Sequence, residues 1–271
     1  MNRRIVFLDI DGTLTAFGEG RPPESAVKAI RMARDNGNLV YICTGRNRQM
    51  HYPMLQYGMD GAVGAAGALA YAGKERIWSK PIPETSFHRL IDAFHREQIS
   101  CMPECEYVVY ADEMLYANFE KFKRKDAGQE QEDDVFHVEP IADYKGEPVY
   151  KMVFLGASAD SIERLRPKLE DEFQFILQKN MSEDGSIGGE MIIRGVDKAL
   201  GMLKVCEHYG LSMADTVAFG DSTNDIEMLE TAALSVCMGN GSDDAKAAAD
   251  LVCPDVHSDG LYHGFKMAGL I

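Results

Sequence analysis

The chain has 271 residues, 45% of them hydrophobic, with 43 Asp and Glu against 28 Lys and Arg, a formal charge of −15. That balance argues against a nucleic-acid binder, which needs clustered cations to neutralise phosphates, and no apolar run approaches the ~18 residues of a membrane span. The length exceeds a single domain of about 100–150 residues, and an opening of Asn2-Arg3-Arg4 before a short strand, in place of a signal sequence, points to the cytoplasm.

The first predicted element is an apolar strand, Ile5 to Leu8, that runs into Asp9-Ile10-Asp11-Gly12-Thr13-Leu14-Thr15. Residues 24–36 follow as a helix, with Val27, Ile30 and Ala33 inward and Gly37 ending it. Strand 39–43 leads into Thr44-Gly45-Arg46, and a helix near 49–57 and an apolar run at 61–64 continue the alternation. Alternating strands and helices predict a parallel sheet with helices on both faces and ligands at the carboxyl ends of its strands.

From Pro81-Ile82-Pro83 the pattern changes. A helix over 86–97 is followed by strand-like 107–110, an acidic stretch at 129–134 read as a solvated loop, and strand 149–155. Helix 159–172 and strand-like segments 173–177 and 190–193 complete an α+β region, bracketed by candidate hinges near 80–84 and 192–196. Lys198 then opens an amphipathic run to Tyr209, and strand 216–219 meets Gly220-Asp221-Ser222-Thr223-Asn224-Asp225 before a helix at 226–230. The six cysteines form no C-x-x-C pair and read as reduced packing residues; Cys101 and Cys105 lack the second pair that a metal site would need.

The chemistry gathers at strand ends. Alternate strand residues share a face, so Asp9 and Asp11 converge if the strand continues through them. Two such carboxylates repel unless a cation or a shared proton lies between them, and oxygen ligands favour magnesium. Thr44-Gly45-Arg46 offers a hydroxyl, a flexible amide and a cation to a phosphate. Lys198 adds an ammonium at a helix N-terminus, and residues 220–225 add more hard oxygens. Each segment alone also reads as a turn, a cap or a solvated loop; four in this order are poorly explained as separate accidents. On so acidic a chain, attraction for a phosphate must be local, because distant charges are screened beyond about 8 Å.

Asp9-Ile10-Asp11-Gly12-Thr13, Thr44-Gly45-Arg46, Lys198 and the 220–225 segment resemble, in order, the four motifs of the haloacid dehalogenase superfamily, and most closely those of its Cof-type sugar-phosphate phosphatases. The likeness covers roughly 1–80 and 195–271 and extends to Met238-Gly239-Asn240-Gly241 and Asp259-Gly260-Leu261. It implies an α/β fold: a Rossmann-like parallel-sheet hydrolase core over 1–81 and 195–271, and an inserted α+β cap over 82–194 that sets substrate choice. Asp9 would be the nucleophile that carries an aspartyl phosphate, and Asp11 the acid and base. Mg²⁺ would sit on the Asp9 and Asp221 carboxylates and the Asp11 carbonyl oxygen. Ile10, Thr44, Gly45, Lys198 and Asn224 would hold phosphoryl oxygens of a small phosphorylated metabolite. Asp225 is read as orienting Lys198 or the metal's waters, with a plain helix-end carboxylate as the alternative. Arg46 either meets substrate or pairs with a carboxylate. The chain departs from the family at Ala66, where an Asn is usual, and at Ala199, where a Gly is usual. Rival readings are a phosphohexomutase of the same superfamily and a phosphate-sensing protein without catalysis.

Overall fold

The computed structural model describes residues 3–117, 137–178 and 185–271, and the acidic stretch 129–134 lies outside them. The chain divides into two compact units. One holds residues up to Arg46, His51–Ser79 and Asp197–Ile271; the other holds Asn47–Met50 and Lys80–Val196. Among the described residues no helix is long and apolar enough to cross a membrane.

The first unit is an α/β fold on an eight-stranded sheet. Its strands are β1 (Ile5–Leu8), β2 (Leu39–Cys43), β3 (Gly61–Gly64), β4 (Leu69–Ala72), β5 (Glu75–Ser79), β12 (Thr216–Gly220), β13 (Leu234–Cys237) and β14 (Leu251–Val252), in spatial order β14-β13-β12-β1-β2-β3-β4-β5. From β14 to β3 all neighbours are parallel. Every residue of β1 is buried, as a strand covered on both faces requires. Val6 and Leu8 join the helices Glu24–Asp35 and Gly260–Met267 in one apolar cluster. Ile5 and Phe7 join Met202, Val205 and Cys206 of the helix Lys198–Tyr209 in another. The chain runs outward through β2 and β3 on one side of β1 and through β12, β13 and β14 on the other, so the sheet reverses its winding at β1, where ligands of such sheets bind.

The expected all-parallel sheet needs one correction. β4 and β5 are antiparallel additions at the edge, because the links from 65 to 68 and from 73 to 74 are too short for a crossover. The 65–67 turn braces the chemistry. Ala65 N donates to Arg46 O (2.9 Å), Ala66 N to Thr44 O (3.1 Å) and Trp78 Nε1 to Gly67 O (3.2 Å). Ala65 and Ala66 hold φ of 48° and 54°, and Gly67 holds 100°. A Cβ on Gly67 would lie 1.7 Å from the Asp197 carbonyl oxygen, next to Lys198.

The second unit carries a six-stranded sheet. Its strands are β6 (Ser100–Cys105), β7 (Val109–Ala111), β8 (Val138–Pro140), β9 (Val149–Ala157), β10 (Phe173–Gln178) and β11 (Ile187–Ile193), in the order β10-β11-β9-β6-β7-β8. All pairs are antiparallel except β7 with β8. Helices Glu84–Arg96 and Ala159–Leu169 supply Leu90, Phe94, Ile162 and Leu165 to the cluster that contains Met152 and Phe154 of β9. The second helix stops three residues short of the predicted 172. Strand β7 begins two residues after the predicted 107, and β6 carries no periodic signal that announced it. Asn47 Nδ2 donates to Cys105 O (3.1 Å) and Gln49 N to Glu106 O (3.2 Å), which draws residues 47–50 into this unit. All six cysteines are free and buried.

An alanine in the left-handed region costs on the order of 1 kcal/mol relative to glycine. Ala66→Gly is therefore expected to stabilise the fold by about 1 kcal/mol, and Ala66→Asn to be at least neutral, since Asn tolerates that conformation. Gly67→Ala should cost on the order of 3 kcal/mol or more, for strain and clash together. Urea unfolding of the three variants measures the differences; equal stabilities would show that the turn relaxes freely.

Candidate active site

Beyond β1 the chain closes on itself. Asp9 N donates to Phe219 O (3.0 Å), which extends the parallel pairing by one residue, and the amides of Thr13, Leu14 and Thr15 return to the carbonyls of Ile10, Asp9 and Ile10. Gly12 makes this loop possible. Its φ is +88°, and a Cβ there would lie 2.4 Å from Asp221 Oδ2. The loop is pinned from a distance by Asn240, whose Nδ2 donates to Gly12 O (2.8 Å) and whose Oδ1 accepts from Val256 N (2.9 Å).

Lys198 enters at the first turn of its helix, which Asp197 caps by accepting from Leu200 N at 2.7 Å. Its side chain is 2% exposed, and Nζ lies 2.6 Å from Asp9 Oδ1 and 2.5 Å from Asp225 Oδ1. The other Asp225 oxygen accepts from the amides of Asp221 (2.9 Å) and Ser222 (3.0 Å). Asp225 is thus consumed in holding Lys198 and the 220–225 turn. Thr13 Oγ1 donates to Asp221 Oδ1 (2.8 Å) and ties the first motif to the last.

Carboxylate oxygens of Asp9, Asp221 and Asp225 all lie within 4.8 Å of one another. Asp11 is absent from that cluster. Its carboxylate receives both Arg46 Nε (2.9 Å) and Arg46 Nη2 (2.6 Å), a bidentate ion pair. Thr44 is buried and its hydroxyl accepts from Arg46 N (3.2 Å), while Gly45 is half-buried beside it. Ile10 is fully buried with its carbonyl spent inside the loop. Asn224 is exposed, and its side-chain oxygen accepts from Ser222 Oγ at 2.7 Å. Thr13 and Asn240 were not singled out from sequence as site residues; the hydroxyl after Asp-x-Asp-Gly and the Asn in Gly-Asn-Gly were the available signals.

Three buried carboxylates surround one ammonium. Burial pushes Asp9 up to about 7; Lys198 opposes this, and the neighbouring Asp225 and Asp221 add to it. Burial also pushes Asp221 up to about 6, with the Thr13 hydroxyl opposing and Asp225 assisting. For Lys198, burial works against the charge, but Asp225 and Asp9 overcome it and hold the ammonium above its ordinary range. The donors are hard oxygens with negative charge in excess, and a divalent cation such as Mg²⁺ fits them.

Both carboxyls keep protons in the metal-free folded state that they release on unfolding. Their contribution is therefore full below about pH 4 and falls as pH rises through about 6 for Asp221 and about 7 for Asp9. Asp221→Asn, a permanent mimic of the neutral acid, should gain on wild type in chelator by roughly 1–3 kcal/mol between pH 4 and 6 and then level off. In Mg²⁺ the advantage should shrink or reverse. Urea midpoints across pH measure it; a difference that does not vary with pH would contradict the electrostatics.

Comparison with known proteins accords with this geometry. Residues 6–265 match the model of the haloacid dehalogenase-like hydrolases. The 5-amino-6-(5-phospho-D-ribitylamino)uracil phosphatase YitU of Bacillus subtilis is 27% identical, over 97% of this chain and 96% of its own. The pyridoxal phosphate phosphatase YbhA of Escherichia coli is also 27% identical, over 96% of this chain and 97% of its own. Among solved structures, the subclass IIB sugar phosphatase BT4131 superposes with a TM-score of 0.80 at 25% identity, covering 99% of this chain and all of its own. A family model that spans nearly the whole chain, relatives that are phosphatases along their full length, and four motifs gathered at the carboxyl edge of one sheet lead to one conclusion: the chain belongs to the haloacid dehalogenase-like hydrolases and is a phosphatase of their Cof type.

Proposed function

We propose that this phosphatase is a Mg²⁺-dependent hydrolase of small phosphomonoesters, sugar phosphates foremost, working through an aspartyl phosphate on Asp9. The observation that carries the reading is the buried Lys198 ammonium shared between Asp9 and Asp225, beside Asp221. That grouping keeps one Asp9 oxygen fixed, and it sets a cation where charge on a transferring phosphoryl group must be stabilised.

An Asp9 carboxylate oxygen attacks phosphorus, and the bond from phosphorus to the leaving oxygen breaks as Asp11 gives that oxygen its proton. Water then attacks the aspartyl phosphate, Asp11 takes a proton from it, and the bond between Asp9 and phosphorus breaks to release phosphate. Splitting one hard displacement in two lowers each barrier. The Asp9 and Asp221 carboxylates and the Asp11 carbonyl oxygen would hold Mg²⁺, which supplies positive charge to the site when bound. Thr44, Gly45, Lys198 and Asn224, with the Ile10 backbone, would receive the remaining phosphoryl oxygens. Asp225 acts by holding Lys198. Both Asp11 oxygens accept from Arg46, so Arg46 must let go before Asp11 can carry a proton, and a substrate phosphate is the natural competitor for that guanidinium. Residues 82–194 would be the cap that sets substrate choice. Release of free phosphate from a sugar monophosphate separates this reading from a phosphohexomutase.

Asp9→Asn should lower turnover by about 10⁴–10⁶; retention of more than about a tenth of the activity would remove Asp9 from the nucleophile's place. Excess chelator should abolish phosphate release and added Mg²⁺ restore it, with Mn²⁺ or Co²⁺ partly effective; full activity without detectable metal would contradict the ligand set. Asp11→Asn should slow hydrolysis of a sugar phosphate far more than that of 4-nitrophenyl phosphate, whose leaving group needs no proton. Equal losses with the two esters would leave Asp11 a structural residue.

A further inference from the structure

Three charged side chains lie on one face of the second unit's sheet. Glu104 of β6 stands opposite Lys151 of β9, and Glu190 of β11 stands opposite Val153, one step further along the same face. Lys151 Nζ lies 2.8 Å from Glu190 Oε1 and 3.3 Å from Glu104 Oε2. The other face is the apolar one, where Met152 and Phe154 meet the two helices. Side chains of Lys151 and Glu104 are 4% and 6% exposed, while Glu190 reaches the surface at 20%. Glu104 Oε2 is buried and makes no hydrogen bond.

Packing alone does not account for this cluster. Buried charges on interior strands cost several kcal/mol each before pairing recovers any of it, and apolar neighbours such as Met102 and Val153 show what that face accepts at no such cost. We propose that Glu190, Lys151 and Glu104 form a hydroxyl-recognition site that receives a polyol-bearing leaving group, with Glu190 making the direct contact and the other two positioning it. The inference rests on the phosphatase reading and names the substrate class within it.

The chemistry selects among small phosphate esters. Two carboxylates and one ammonium offer acceptors in excess, so the cluster calls for hydrogen-bond donors from outside. Adjacent hydroxyls supply them, and each can also accept from a neighbouring donor. A carboxylate-bearing leaving group would meet two like charges against one opposite. A flat apolar ring would leave the polar groups unpaired, which is where a site built for hydroxyls discriminates most. Burial, offset in part by Lys151, pushes Glu104 up to about 7, so near neutral pH it can give or accept a hydrogen bond.

The test compares phosphate release from glucitol 6-phosphate, 2-phosphoglycolate and 4-nitrophenyl phosphate by wild type, Glu190→Gln and Glu190→Lys, with thermal melts of each. Glu190→Gln keeps the shape and should lower kcat/KM for glucitol 6-phosphate by about tenfold, mainly through KM, the loss expected of one charged hydrogen bond. Its 4-nitrophenyl phosphate activity should stay within about twofold, a loss too small for a broken hydrogen bond. Glu190→Lys should raise 2-phosphoglycolate relative to glucitol 6-phosphate, a gain that misfolding cannot produce; if that variant does not fold, Glu190→Gln decides alone. Equal losses on the polyol and nitrophenyl esters, or an unchanged ranking, would overturn the inference while leaving the phosphatase reading intact. Failure of wild type to hydrolyse any ester, 4-nitrophenyl phosphate included, would overturn both.

Discussion

A single buried ammonium holds the first unit's chemistry in place. Lys198 is almost fully withdrawn from water, and only the carboxylates of Asp9 and Asp225 make that tolerable. A lysine so placed without partners would discharge; with three carboxylates nearby it stays cationic, and the surplus negative charge is left for a metal to neutralise. The same imbalance lifts Asp9 and Asp221 towards neutrality when no cation is bound. The groups that suit phosphoryl transfer are therefore the groups that strain the metal-free fold, a common cost of functional sites.

Holding four charged residues from distant parts of the chain within a few ångströms demands rigid support, and glycine and polar clamps provide it. Gly12 lets the first loop pass against Asp221, and Gly67 lets the 65–67 turn press on the Asp197 carbonyl beside Lys198. Thr13 joins the first loop to Asp221, and Asn240 joins that loop to the chain leaving β14. The left-handed alanines at 65 and 66 fit this pattern, since their amides carry the Thr44 and Arg46 carbonyls. An Asn at 66, usual in relatives of this type, would suit that backbone better. The departure noticed in the sequence thus has a conformational side as well as a chemical one.

The second unit distributes charge differently. Its helix-backed face is apolar throughout, and its ionisable groups are confined to the opposite face of the same strands. Strand alternation makes that separation available without extra chain, because neighbouring residues of β9 point to opposite sides. A sheet that packs its helices on one side can therefore vary the other side with little effect on its own core.

The sequence by itself determined the order of strands ending in Asp9, Thr44 and Asp221, the helix that begins at Lys198, and the change of character after residue 80. Those features are local: apolar runs, turn residues and helix starts are written in neighbouring positions. Tertiary structure alone decided that Asp11 pairs with Arg46, that Asp225 is spent on Lys198 and two backbone amides, and that Asn240 reaches Gly12. It also decided that β4 and β5 turn back antiparallel and that Glu104, Lys151 and Glu190 meet on one sheet face. These pairings link residues tens to hundreds of positions apart, and their partners follow from strand order and register. Periodicity reports which face a side chain takes; only the assembled sheet decides what lies across from it.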